Sequence, residues 1–407
     1  MLLSTLSIRL PGCRSSSIRS TGLAAVAILG LLAGCGTARL PAPTPATVTP
    51  PVITGELPAT PAPLPPSPRQ VLQRERSRWV SADWNELPGW GSDRASELWP
   101  ALLRSCGKPA PGWAETCARA ALESPGDDLE AHAWLMRHLQ PYRIESLDGQ
   151  ALGLLTGYFE PQLQAQRRPG GAYRIPLHAP PPELAQRRPY FTRAQIDGDA
   201  MVRTRLKPWE FGYVDDALDL LVLHIQGSGR VLMQEPDGRQ RLLRLAFGGH
   251  NEQPYQSVGR WLLERGELRG GDASWPAIRD WARRNPQRLG EMLAANPRYV
   301  FFREEPLPDP KLGPRGAQGV ALTPGRSIAV DRASLPYGTP VWLDATEPLS
   351  NTPLQRLVMA QDTGGAITGA VRADYFWGWG AEAEAQAGRM KQALRLWALW
   401  PRGQRPG

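Results

Sequence analysis

Asp331, Asp362 and Asp374 fall within one glycine-punctuated stretch near the C-terminus, in the segments SIAVDRASLPYGTPVWL, VMAQDTGGAITG and AVRADYFWGWG. Carboxyl groups can donate a proton, accept one or attack as nucleophiles, and pKa decides between these roles. An aspartate at its reference pKa of ~3.9 is protonated only ~0.1% of the time at pH 7. Carboxylates placed close together raise one another's pKa because like charges resist joint ionisation, and apolar surroundings raise it further. Asp374 leads directly into Tyr375-Phe376-Trp377, with Trp379 close behind, and is the candidate general acid. Asp362 precedes the Thr363-Gly364-Gly365 turn, where it either orients the acid or holds the turn. Asp331 reads as mainly structural. Gly364 and Gly365 are expected to supply a positive φ or a close backbone approach.

The elements that must position these groups read from short apolar runs. Ile328–Val330, Val341–Leu343 and Leu357–Ala360 are β-rich and bounded by turn residues, so Asp331 and Asp362 stand where strands run out into loops. GLLTGYFEP reads as a strand on which Thr156, Tyr158 and Glu160 share one face. LDLLVLHIQ also reads as a strand, followed by a polar, flexible patch of Gln226, Ser228, Gly229 and neighbouring glycine. Residues 69–145 read as mainly helical, with Leu129, Ala133, Met136 and Leu139 on one face and Asp127 or Asp128 as cap. Two further short helices open near Ser274-Trp275-Pro276 and at Asn285-Pro286.

Arg9, Arg14 and Arg19 precede the apolar run Leu23–Leu32, which ends in Leu32-Ala33-Gly34-Cys35. This is a secretory signal, too short to remain as a membrane-spanning helix. Its removal takes away three arginines and no acids, so the formal charge falls from +8 to +5. A mildly basic exported chain suits an anionic polymer, and with no nucleic-acid motif the nucleic-acid reading drops out. Residues 36–68 are rich in Pro, Ala and Thr and favour an extended tether. Cys106 and Cys117 remain, eleven apart around GKPAPGW. In an exported protein such cysteines pair as a disulfide, the alternative being two buried thiols. Two cysteines and five scattered histidines show no metal-ligand spacing.

The ordered pattern TGYFEP (156–161), HIQGSGR (224–230), NPRYVFF (296–302) and AVDxxxxPYGTPVW…QDTGG…RADYFWGWG resembles the membrane-bound lytic transglycosylase A (MltA) family. The LAGC ending likewise resembles a bacterial lipobox, implying lipid on Cys35. Gly36 after it favours the outer membrane, facing the periplasm. The resemblance implies a mostly β protein with an N-terminal helical region and a discontinuous double-psi β-barrel. A second β domain would be inserted into that barrel, with a substrate groove between them. The implied divisions are a signal at 1–34, a lipid-anchored linker at 35–68 and helical plus first barrel segments at 69–170. An inserted domain at 171–295 and the three-aspartate part at 296–402 complete them.

It further implies cleavage of the β-1,4 bond after N-acetylmuramic acid, with the sugar's own C6 hydroxyl closing a 1,6-anhydro ring. Asp374 would act alone as acid and then base, supported by Asp362 and Asp331, with no cofactor or metal and no catalytic role for Glu160. Thr156, Tyr158, Gln226, Ser228, Gly229, Gly364, Gly365 and Trp377 would contact the glycan, the tryptophan by stacking on a sugar face. Peptidoglycan strands and wall-synthesis proteins are the implied partners. Asp362 and Asp374 are twelve residues apart, where many relatives have eleven, and Gly369-Ala370 offers room for the addition. Two other classes stay open: a hydrolytic wall glycosidase, and a non-catalytic wall-binding lipoprotein.

Overall fold

Apolar runs bounded by Gly and Pro form the strands β1 (Val71–Gln73), β2 (Arg78–Ser81), β3 (Leu139–Glu145), β4 (Gly153–Glu160) and β5 (Gln162–Gln166). They continue as β6 (Ile175–His178), β7 (Glu210–Val214), β8 (Gly229–Gln234), β9 (Gln240–His250) and β10 (Val300–Pro306). The last five are β11 (Ser327–Val330), β12 (Pro340–Thr346), β13 (Pro353–Asp362), β14 (Arg372–Trp379) and β15 (Lys391–Pro401). The computed structural model describes residues 69–268 and 272–405. The signal segment, Cys35 and the proline-rich linker lie outside the described residues.

Six strands close on themselves in the order β4-β14-β11-β13-β12-β15, because β15 pairs β12 through Arg395–Ala398 and returns to β4 through Lys391–Leu394. Closure leaves the ring without an open edge. β3, β2 and β1 extend the sheet from the far end of β15. The ring's strands contribute Leu155, Ile328, Val341, Leu357, Met359, Tyr375 and Leu396 to one core cluster, all essentially solvent-free. The second sheet runs β10-β9-β8-β5-β7-β6. β5 and β10 therefore belong with the second sheet, although divisions drawn at 170 and 296 leave them outside it.

The N-terminal region is helical as expected, through helices Trp99–Cys106, Ala114–Leu122 and Asp128–His138, with strands at both ends. Asp127 caps the third helix, its side chain accepting from Glu130 N at 2.8 Å. The buried face of that helix is Ala131, His132, Trp134 and Leu135, whereas Leu129 is 78% exposed. The expected face was thus rotated, because Trp99 and Trp134 pack edge to face and draw the helix in on the tryptophan side. Cys106 and Cys117 form a disulfide between the first two helices.

LDLLVLHIQ forms a helix, Ala217–Gln226, and not a strand. Leu220 and Leu223 pack into the second sheet, Leu218 and Leu221 into a helical cluster, and Val222 against Phe159. A helix buried on every side carries no amphipathic stripe, so its apolar run mimics a buried strand. Its ends were the better signal. Asp216 accepts from Leu218 N and Asp219 N, and Gly227 closes the last turn with φ +80°.

The two sheets share a continuous chain at Pro161, between β4 and β5. There Glu160, fully buried, accepts from Arg230 Nε and Arg244 Nε, each at 2.7 Å. Both arginines also donate to the carbonyl of Leu312, and Arg230 lies 3.6 Å from the Trp379 ring centre. Glu160 thus has a structural employment that accounts for its burial. Removing one partner of a buried pair typically costs about 3–5 kcal/mol, since the remaining charges are stranded. Glu160→Ala is expected to lower the unfolding free energy by about that amount in urea titrations followed by circular dichroism. An unchanged midpoint would contradict this assignment.

Candidate active site

The register of four adjacent strands sets the site. Asp362 of β13 stands level with Ala329 of β11, Ala329 with Asp374 of β14, and Asp374 with Thr156 of β4. The two aspartates are therefore two strand intervals apart, roughly 10 Å between backbones at ~4.8 Å per interval. The small side chain of Ala329 lies between them on the floor of a cavity of about 780 Å³. Thr156, Tyr158, Asp362, Asp374 and Phe376 line it on the barrel side, and Gln226, Gly227 and Ser228 on the other.

Thr156 Oγ1 donates to Asp374 Oδ1 at 2.6 Å and accepts from Arg372 Nη2 at 2.9 Å. The Asp374 carboxyl opens onto the cavity yet lies deep in the fold, and that burial pushes its pKa up to about 6. The threonine hydrogen bond and the Arg372 charge oppose the rise, and Asp362 adds the smallest contribution to it. Desolvation, rather than mutual repulsion of clustered aspartates, is thus the main cause. The ~10 Å spacing explains why repulsion is weak.

Asp362 accepts from Tyr158 OH at 3.0 Å and from Ala317 N at 2.9 Å. Burial raises its pKa, while bonds from Thr363 N, Ala317 N and Tyr158 oppose the rise. Burial and the two nearby carboxylates push the Tyr158 phenol well above its ordinary range, so it remains a donor. Asp331 lies outside the cavity lining. It holds the following loop, accepting from Ala333 N and Gly369 N, and pairs with Arg76 at 3.2 Å. Gly369 turns there with φ +111° and nothing near the place a Cβ would occupy.

Gly364 and Gly365 line the cavity, but neither takes a positive φ. A Cβ on Gly364 would stand 3.1 Å from Ile367, and one on Gly365 3.7 Å from Arg298. Gly229 is buried at the start of β8, where a Cβ would stand 3.1 Å from the Pro161 carbonyl and 2.4 Å from Leu223, so it does not reach the cavity. Gln226 faces it while accepting from Phe159 N at 3.3 Å.

Trp377 is directed elsewhere. On β14, Asp374 and Phe376 face the cavity, so Trp377 points to the opposite side. Its indole donates to Met390 Sδ and covers Gly157. Aromatic surface on the cavity comes instead from Phe247 and Tyr255, 51% and 43% exposed, which sequence reasoning missed. Arg372 was also missed, although a cation two residues before an acid on one strand shares its face.

Two family patterns match the chain: the MltA specific insert domain over residues 154–303 and the 3D domain over 326–400. The chain is 33% identical over 267 residues to membrane-bound lytic murein transglycosylase A of Vibrio cholerae, spanning 64% of this chain and 69% of that protein. The crystal structure of MltA from Neisseria gonorrhoeae superposes with a TM-score of 0.70 at 31% identity, covering 84% of this chain and 97% of that one. The lytic transglycosylase LtgG of Burkholderia pseudomallei is 42% identical, with a TM-score of 0.59 over 83% of this chain and 98% of that one.

A reaction that uses Asp374 as proton donor loses its active form as pH rises through the pKa of about 6. Its rate is expected to fall about tenfold per pH unit above that point. Thr156→Val deletes a hydrogen bond that favours the charged carboxylate, so the falling limb of the pH–rate profile should move to higher pH. A limb that stays in place or moves down would contradict the assignment of that bond.

Proposed function

The chain belongs to the membrane-bound lytic murein transglycosylase A family, and from that premise we infer that it cleaves murein as a lytic transglycosylase. The observation that carries the mechanism is the placement of the Asp374 carboxyl, bonded to Thr156 and desolvated by the fold, on a cavity large enough for several sugar rings, which raises its pKa to about 6. At pH 7 about a tenth of a group with pKa near 6 is protonated, roughly a hundred times the share of an ordinary aspartate.

Asp374 protonates the glycosidic oxygen as the bond to C1 of N-acetylmuramic acid breaks. The resulting carboxylate is held by Thr156 and by the charge of Arg372, which keeps it available as a base. It then takes the proton from the C6 hydroxyl as that oxygen attacks C1 and closes the 1,6-anhydro ring. The nucleophile belongs to the same sugar, so its proximity is supplied by the substrate. Phe247 and Tyr255 offer faces for sugar rings, and Gln226 and Ser228 offer polar groups for their substituents.

A hydrolytic glycosidase would require a second carboxylate to activate water. Asp362 is the candidate by position, but both its oxygens already accept hydrogen bonds, from Tyr158 and Ala317. It holds the Tyr158 side of the cavity and the loop at residue 317, which supports the transglycosylase reading. Outer-membrane anchoring through Cys35, the periplasm-facing location and contacts with wall-synthesis proteins rest on the N-terminal sequence and the family. The relatives' designation as membrane-bound supports attachment to a membrane.

Asp374→Asn keeps the shape of the site but cannot deliver a proton. Release of anhydromuropeptides from purified peptidoglycan is expected to fall by about 10³–10⁴-fold, with glycan binding preserved, because one group serves both steps. Mass analysis of the products checks this. Retained activity would overturn the role of Asp374, and reducing-end products from the unmodified protein would point to a hydrolase.

A further inference from the structure

Four arginines reach the cavity: Arg244, Arg298, Arg315 and Arg372. Three of them have protein partners. Arg244 is bound to Glu160, Arg315 donates to the Gly319 carbonyl at 2.9 Å, and Arg372 donates to Thr156. Arg298 is different. Among the described residues its guanidinium makes no hydrogen bond or ion pair, and the acids lining the same cavity, Glu305, Asp362 and Asp374, do not pair with it. Partial burial pushes its pKa down, with no carboxylate to offset the loss of water.

The backbone of Arg298 is, by contrast, firmly held. Its N–H donates to Asn296 Oδ1 at 3.3 Å, and its carbonyl accepts from Arg193 Nη2 at 2.9 Å. Arg193 is itself buried, donates to the Asn296 carbonyl at 3.1 Å and meets His224 Nδ1 at 2.8 Å. Burial and the Arg193 charge keep His224 neutral, so it can accept that bond. The guanidinium of Arg298 is thereby placed beside the loop after Asp362, with Nη1 3.7 Å from where a Cβ on Gly365 would stand. A partly desolvated cation on a fixed backbone, with no protein acceptor, is completed by an anion.

We propose that Arg298 binds a carboxylate carried by the muramoyl branch of the substrate, a proposal that rests on the murein reading above. The alternating N-acetyl sugars are neutral. Carboxylates occur only on the lactyl ether of muramic acid, when it bears no peptide, or on the peptide joined to it. The guanidinium fork matches either one in a bidentate geometry. Arg298 is thus a specificity residue, selecting strands by their branch and leaving the chemistry to Asp374.

The test compares Arg298→Gln and Arg298→Lys with the unmodified full chain on three ligands. These are peptide-bearing glycan strands, strands stripped by an amidase so that the lactyl carboxylate is free, and a neutral N-acetylglucosamine hexamer measured by calorimetry. For Arg298→Gln, KM is expected to rise about tenfold on the strands that carry the recognised carboxylate, with kcat within about twofold. Hexamer affinity should be unchanged, and Arg298→Lys should recover part of the loss. An effect confined to peptide-bearing strands assigns the peptide carboxylate, and one confined to stripped strands assigns the lactyl group. Equal weakening for the hexamer, or an unchanged KM on both charged substrates, would overturn the proposal. Reducing-end products from the unmodified chain would instead defeat the transglycosylase reading, while leaving the charge dependence of KM measurable.

Discussion

A carboxyl group buried at the register point where Asp374 meets Thr156 imposes the constraint that the surrounding structure must satisfy. Burial makes the acid a usable proton donor near neutral pH, but the same burial opposes the carboxylate it becomes after donation. Thr156 and Arg372 supply the counterweight: one hydrogen bond and one nearby positive charge. Neither cancels the desolvation, so on the mechanism proposed above the group can exist in both forms during one turnover. The geometry depends on a parallel pairing of β4 and β14, which joins segments 218 residues apart in the chain.

Closing the ring solves only half of the problem, because a glycan also needs a second wall. That wall comes from the helix Ala217–Gln226 and the β9 segment carrying Phe247. The chain crosses from one sheet to the other at Pro161, next to the fully buried Glu160 and its two arginines. An ion cluster of this kind contributes little net stability against an apolar alternative, but it does fix how the elements meet. Arg193 does the same deeper in the second part, tying His224 and the backbone at Asn296 and Arg298 into one frame. The cavity walls are thus set by buried cations with satisfied partners, and among the described residues the Arg298 guanidinium stands out by having none.

Much of the barrel side of the candidate site was legible in the sequence. The strands around the aspartates follow from short apolar runs between turn residues, and the alternation of Thr156 and Tyr158 places both on the cavity. Strand parity also contained the correction for Trp377, which is three residues from Asp374 and so faces the other way. It became usable only once β14 was known to be a strand. The helix Ala217–Gln226 was hidden because all its sides are buried, although Asp216 and Gly227 marked its ends. The aromatic residues on the second wall, Phe247 and Tyr255, carry no local pattern at all. They reach the cavity through tertiary packing that no spacing rule encodes.

The ionisation of Asp374 itself is the most direct observation to make. Carboxyl ¹³C resonances of the aspartates can be followed by NMR as a function of pH, with Asp374 identified by the signal lost in Asp374→Asn. A midpoint near 6 would agree with a desolvated acid restrained by Thr156 and Arg372. A midpoint close to the ordinary ~3.9 of a solvated aspartate would mean that burial does not govern the group, and that the proton for glycosidic cleavage must come from elsewhere.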